Sequence, residues 1–141
     1  WKARHDVYWA VKTTWPGKEV LATDVCVPIS RLAECVLETK KDAAEHGIVL
    51  PIVGHVGDGN FHTTPVFEVA DKPKVEAFLG RLAQRALDMD GTCTGEHGIG
   101  QGKMKYLRKE LGAGVDVMAA IKRTLDPLDI LNPGKIVTLP G

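Results

Sequence analysis

The sequence predicts an α+β fold, an antiparallel sheet with helices packed on one face in the manner of a ferredoxin-like domain. Two observations predict it. Short runs rich in Val, Ile and Thr alternate with longer segments of helical period, in the order strand, helix, strand, strand, helix. The two central strands flank Asp58-Gly59, a dipeptide that favours a tight hairpin and therefore antiparallel pairing. With 141 residues, 44% hydrophobic and 26% charged, the chain can bury such a core as one domain without disulfides.

The opening stretch WKARHDVYWAVKTTW is aromatic and mixed in charge, unlike a signal peptide, and reads as an arm or helix. The chain begins at Trp1 rather than Met, so it is expected to be processed or a piece of a longer protein. Residues 20 to 28, VLATDVCVP, read as a strand stopped by Pro28, after which Ser30 is placed to cap a helix. That helix runs from Arg31 to His46, with Leu32, Cys35, Val36 and Ala43 at helical spacing, and Gly47 ends it. IVLPIVGHV, residues 48 to 56, and FHTTPVF, residues 61 to 67, read as strands. Asp71 is placed to cap a helix that begins near Lys72, with Pro73 in its tolerant first turn. Val75, Phe78, Leu79, Leu82, Ala86 and Met89 give that helix one apolar stripe. A glycine-rich loop follows from Gly91 to Gly102, then helical segments from 103 to 125 interrupted by Gly112 and Gly114. The ending DPLDILNPGKIV reads as a loop with a short extended tail.

Eighteen basic and eighteen acidic residues, well spread, argue against nucleic acid or an anionic membrane as main partner. No apolar run reaches the roughly 20 residues of a membrane span. Cys26, Cys35 and Cys93 form no CxxC pair, which points to free thiols, with Cys26 and Cys35 as small core residues.

Two motifs carry chemistry. In GHVGDGNFH a turn at Asp58-Gly59 sets His55 opposite His62, so that two imidazoles stand on one face at the sheet end. That arrangement suits one metal ion, and it equally suits two core or surface histidines. In TCTGEHGIGQGK, Glu96 and His97 stand among glycines that let the backbone approach a ligand. Glu96 would complete a set of two histidines and one carboxylate for zinc, manganese or iron, and His97 would remain a free base. The competing reading is a flexible surface loop. The loop is not a Walker A, since Met104 follows Lys103, and its glycine spacing is not that of a dinucleotide fingerprint.

Taken together, WKARH, TDVCVPISRL, GHVGDGNFH, TGEHGIG and NPGK resemble, in order and over essentially the whole chain, the carboxy-terminal half of the FAD-linked oxidase family. The resemblance implies a substrate- and metal-binding domain over residues 1–141 of a two-domain flavoenzyme. The FAD-binding domain that normally precedes this region is absent from the chain. It implies an FAD-dependent D-2-hydroxyacid dehydrogenase: zinc or manganese on His55, His62 and Glu96, His97 as catalytic base, Arg4 near the substrate carboxylate and Asn132 near the flavin. The partners implied are a small 2-hydroxy acid, the FAD-binding domain and an electron acceptor such as a cytochrome, a quinone or an electron-transfer flavoprotein. A homodimer is admitted. The location implied is bacterial cytoplasm, or a mitochondrion in a eukaryote, with peripheral membrane contact left open.

TDVCVPISRL is most similar to the D-lactate branch. The branch acting on D-2-hydroxyglutarate carries a lysine where this chain has Ala22, so a small monocarboxylate is expected, with 2-hydroxyglutarate and glycolate as alternatives. Without the flavin domain the 141 residues are expected to hold metal, little FAD and no turnover. Two rival classes compete. Non-haem iron oxygenases share the ligand set but need more strands. A non-catalytic α+β regulatory or assembly module would hold no metal.

Overall fold

The computed structural model describes residues 2–139, with side chains from residue 6 onward, in two compact units, Trp1–Glu96 and His97–Gly141. In the first unit, helix α1 (Lys2–Thr14) precedes strands β1 (Glu19–Val20) and β2 (Thr23–Cys26) and helix α2 (Ile29–Glu45). Strands β3 (Ile52–His55), β4 (Asn60–Thr63) and β5 (Val66–Phe67) and helix α3 (Lys72–Asp88) complete it.

The expected α+β order holds. The central sheet is antiparallel with strand order β2-β4-β3. Cys26 and Thr92 form an isolated bridge on the free side of β2. That bridge stands where a βαββαβ fold places its fourth strand. A smaller antiparallel pair, β1 with β5, packs beneath α1 through Val11, Val20 and Val66.

The core lies between the central sheet and α2 and α3. Val25 and Phe61 on the sheet meet Leu32 and Cys35 of α2 and Leu82 and Ala86 of α3. Val75, Phe78 and Ala86 are fully buried, as the apolar stripe of α3 requires. A second contact, between Asp42 of α2 and Arg81 and Arg85 of α3, ties the helices together by charge.

Several local expectations change. The strand read over 20–28 is two strands, broken at Leu21 and Ala22. The stretch 48–56 keeps only Ile52–His55 as strand and one bridge at Val49, because Pro51 lacks the N–H a continuous ladder needs. FHTTPVF likewise splits around Pro65. Ser30 is not the cap of α2; it lies within the first turn, Pro28 holds the cap position, and no side chain caps it. Asp71 holds the cap position of α3 but makes no capping bond and pairs with Lys74 at 3.2 Å. Cys26 is half-buried, with its Sγ 3.2 Å from the Asp58 carbonyl, and so lies outside the core; Cys35 is fully buried.

The hairpin register also differs. His55 pairs with Asn60, and His62 with Val53, instead of His55 with His62. Val56–Asp58 coil into a 3-10 turn closed by Gly59 at φ 71, so the loop takes four residues ahead of Asn60. Gly59 is required there on two counts. Its φ is left-handed, and a Cβ would stand 2.0 Å from the Val27 carbonyl oxygen.

In the second unit, α4 (Met104–Leu111) and α5 (Gly114–Leu125) are separated at Gly112 and joined by the bidentate pair of Arg108 with Asp116, at 2.7 and 2.8 Å. Residues 126–139 form turns and bends, and the expected extended tail is not among them. No helix among the described residues is long and apolar enough to cross a membrane.

Candidate metal centre

Strand alternation divides the central sheet into two chemical faces. Along β4, Phe61 points toward the helices, while Asn60 and His62 point the other way. Their ladder partners share that second face: Asp24 opposite His62, Cys26 opposite Asn60, and His55 opposite Asn60 from the other side. One face is therefore apolar and covered by helices, and the other gathers two histidines, an aspartate, an asparagine and a cysteine.

The register moved by two residues from the expected pairing, and two is the period of a strand. His55 and His62 thus remain on one face, as diagonal instead of direct neighbours. Their rings stand 5.7 Å apart, edge to face.

The segment after α3 folds onto this face. Thr92 exchanges backbone bonds with Cys26, at 2.8 and 3.3 Å. Cys93 is buried, and Thr94 to Glu96 turn over the sheet. Gly95 lies so close that a Cβ would sit 2.5 Å from Asn60 Oδ1. The Asp24 carboxylate, with no exposure to solvent, accepts bonds from the backbone N–H of Gly95 at 2.7 Å and of Glu96 at 2.5 Å.

The turn delivers Glu96 to the histidines. Its Oε1 lies 2.7 Å from His62 Nε2 and 3.5 Å from His55 Nε2. One donor atom from each of the three residues lies within 4.8 Å of the others. Donors about 2 Å from a tetrahedral ion stand roughly 3.4 Å apart, so small adjustments suffice to close the set on a cation. The donor chemistry fits zinc or manganese: two imidazoles, one carboxylate, and coordination positions left open. His55 Nε2 is buried with no hydrogen-bond partner among the described residues, a costly state that a bound cation would relieve. Cys26 shares the face but is poorly suited as a ligand. Burial, together with the charges of Asp58 and Asp24, pushes its thiol up and keeps it protonated at neutral pH.

The other expected site residues are not members of this three-residue set. His97 is exposed and opens the second unit. Asn132 also lies in the second unit, at a left-handed φ of 51. Its Oδ1 accepts a bond from Lys135 Nζ at 3.3 Å. It borders an apolar groove of about 600 Å³ lined by Ile99, Met118, Ile121, Leu131 and Ile136. The side chain of Arg4 lies outside the described residues. His46, at the end of α2, contacts the backbone carbonyl of Asp42 at 2.8 Å and its carboxylate at 3.0 Å. Sequence reasoning missed Asp24 and Asn60. The sequence carries no signal for Asp24, because the residues that bond it lie some seventy positions along the chain.

The chain matches the family model described as FAD linked oxidases, C-terminal domain, over residues 1–136. It is 52% identical over 143 residues to the "Probable D-lactate dehydrogenase, mitochondrial" of Danio rerio, an alignment covering 99% of this chain and 29% of that protein. Its identity to the "D-lactate dehydrogenase [cytochrome], mitochondrial" of Arabidopsis thaliana is 47%, covering 97% of this chain and 25% of that one. Its identity to the "Glycolate oxidase subunit GlcD" of Bacillus subtilis is 39%, covering 80% and 25%. The chain thus spans between a quarter and a third of the length of these relatives. The 4-ethylphenol oxidase of Gulosibacter chungangensis, solved as an isoeugenol complex, shares the fold with a TM-score of 0.67 at 21% identity, over 99% of this chain and 30% of that one. With this match over nearly its full length, the chain belongs to the FAD-linked oxidases, as their C-terminal domain.

Proposed function

We propose that this chain is the substrate- and metal-binding part of an FAD-dependent D-lactate dehydrogenase. The observation that carries the proposal is the convergence of His55, His62 and Glu96 on one point, in a chain whose relatives at 52% and 47% identity are named D-lactate dehydrogenases. His55, His62 and Glu96 hold a zinc or manganese ion. When bound, that ion acts as a Lewis acid toward the hydroxyl and carboxylate of the 2-hydroxy acid and lowers the hydroxyl pKa. His97 takes the hydroxyl proton as general base. Arg4 pairs with the substrate carboxylate, and Asn132 lies by the flavin ring. FAD, held outside these residues, would supply the acceptor for the C2 hydride, so that loss of the hydroxyl proton to His97 and of that hydride turns D-lactate into pyruvate.

The electron acceptor is a cytochrome, as in the name of the Arabidopsis relative, and the enzyme is mitochondrial, as the Danio and Arabidopsis relatives are named. Likeness to a glycolate oxidase subunit supports a second substrate, glycolate, which is lactate without its methyl group.

The test uses the full-length parent protein with a dye acceptor. D-lactate is expected to be oxidised faster than L-lactate, glycolate or D-2-hydroxyglutarate. His97→Ala is expected to lower kcat about 10²–10⁴-fold, the usual worth of a general base. Equal turnover of the two lactate enantiomers, or of D-2-hydroxyglutarate, would overturn the assignment.

A further inference from the structure

The two histidine ligands sit on a hydrogen-bonded sheet, whose ladder fixes them. Glu96 does not. It lies at the end of a turn that leaves the sheet after Thr92, with glycines on both sides at positions 95 and 98. A carboxylate on such a segment needs something to hold it before it can serve as a ligand.

We propose that Asp24 is the positioning residue of this centre, holding the 94–96 turn so that Glu96 meets His55 and His62. The inference rests on the metal reading above. Asp24 is fully buried, and burying a carboxylate is costly unless donors satisfy it. Its donors come from the turn itself. Oδ2 accepts the backbone N–H of both Gly95 and Glu96, and the Thr94 hydroxyl lies 3.3 and 3.5 Å from the two oxygens. One carboxylate thus binds three consecutive residues, the last of which is the ligand. Bonds to an ionised acceptor are roughly twice as strong as neutral ones, which suits a clamp on a glycine-rich segment.

Asp24 is also the ladder partner of His62, on the same face of the sheet. The strand that fixes one ligand therefore carries the group that fixes another. Cys26, two residues on, adds the backbone bonds to Thr92 at the root of the turn. Gly95 completes the arrangement, because any larger residue would be driven off Asn60.

The experiment is a Co²⁺ titration of the 141-residue chain, followed by visible absorption, with thermal unfolding recorded in parallel. Asp24→Asn is the informative variant, since it keeps the shape and one oxygen but removes the charge. Affinity is expected to fall about tenfold in Asp24→Asn and up to about 100-fold in Asp24→Ala, the range found for groups that orient metal ligands. The Co²⁺ spectrum is expected to change in Asp24→Ala as Glu96 leaves the ion. If Asp24→Ala does not fold, Asp24→Asn carries the test alone. Co²⁺ affinity equal to wild type in folded Asp24→Asn would overturn the proposal, even if the melting temperature falls, because that pattern belongs to a purely structural aspartate. A wild-type chain that takes no Co²⁺ would overturn the underlying metal reading instead.

Discussion

The proposed reading gives His55 and His97 two different jobs despite their identical side chains. The first has a buried Nε2 without a hydrogen-bond partner among the described residues, close to a carboxylate; the second is exposed. His55→Ala is therefore expected to lose stoichiometric zinc or manganese, and His97→Ala to keep it, as read by elemental analysis of freshly purified protein. Loss of metal from His97→Ala would make that residue a ligand and remove it as the base. Gly95→Ala is a sharper probe of geometry. Its methyl would begin 2.5 Å from Oδ1 of buried Asn60, so either that amide or the turn carrying Glu96 must shift. A loss of metal affinity of about 10-fold or more is expected, in line with what displaced orienting groups cost, with little change in the helical signal in circular dichroism. Glu96 was legible in the sequence because it stands beside a glycine, and the two histidines because they flank the Asp58-Gly59 turn on strands that must pair. Asp24 was not, since a lone acid in a strand declares nothing until its acceptor bonds to residues some seventy positions away are known.

At the scale of elements, parity of strand faces survived an error of register. The expected hairpin was two residues out, because a 3-10 turn over Val56–Asp58 cannot be told from a tight turn by Asp-Gly alone. The shift preserved the faces and so preserved the histidine pair. The helices were legible in their apolar stripes, but the charged clamp between them was hidden among solvated-looking residues. Asp42, buried on α2, accepts bonds from Arg81 and Arg85 of α3 between 2.6 and 3.1 Å, with His46 and Glu38 beside it. Burial pushes the Asp42 carboxyl up, but the bonds and charges of the two arginines prevail and hold it below its usual range. A carboxylate depressed in the folded state contributes stability that is fully present above its unfolded value of about 3.9 and is lost as pH falls through the folded value. Asp42→Ala is thus expected to destabilise by roughly 2 kcal/mol at pH 7, since half-buried Arg85 loses one charged partner and keeps Glu38 and Thr39, while half-exposed Arg81 returns to water. In urea titrations that deficit is expected to shrink below about pH 4, where the wild type loses the same ionised group. A deficit unchanged between pH 7 and pH 3 would show that packing, and not charge, is what Asp42 contributes.

For the whole molecule, the decisive fact is that the proposed metal donors and the hydrophobic core lie on opposite faces of one sheet. The core of Val25, Phe61, Leu82 and Ala86 is complete without an ion, so removing metal is not expected to unfold the chain. The ion should instead act as a ligand of a folded site, and its stabilisation should follow mass action. At a free concentration about 100 times its Kd, one ion adds about 2.7 kcal/mol. For a domain near 100 residues that corresponds to a rise in Tm of roughly 10 °C, reversed by a chelator. The donors all lie within Trp1–Glu96, so amide protection gained on metal binding is expected in that unit, centred on residues 24, 55, 62 and 94–96. FAD should behave differently. The chain spans only 25–29% of its D-lactate dehydrogenase relatives and carries no dinucleotide fingerprint, so FAD added to the 141-residue protein is expected to leave Tm and flavin fluorescence nearly unchanged. Tight FAD binding by these residues alone would place the flavin site within this domain, and would relocate the division between the part that holds the substrate and the part that accepts its hydride.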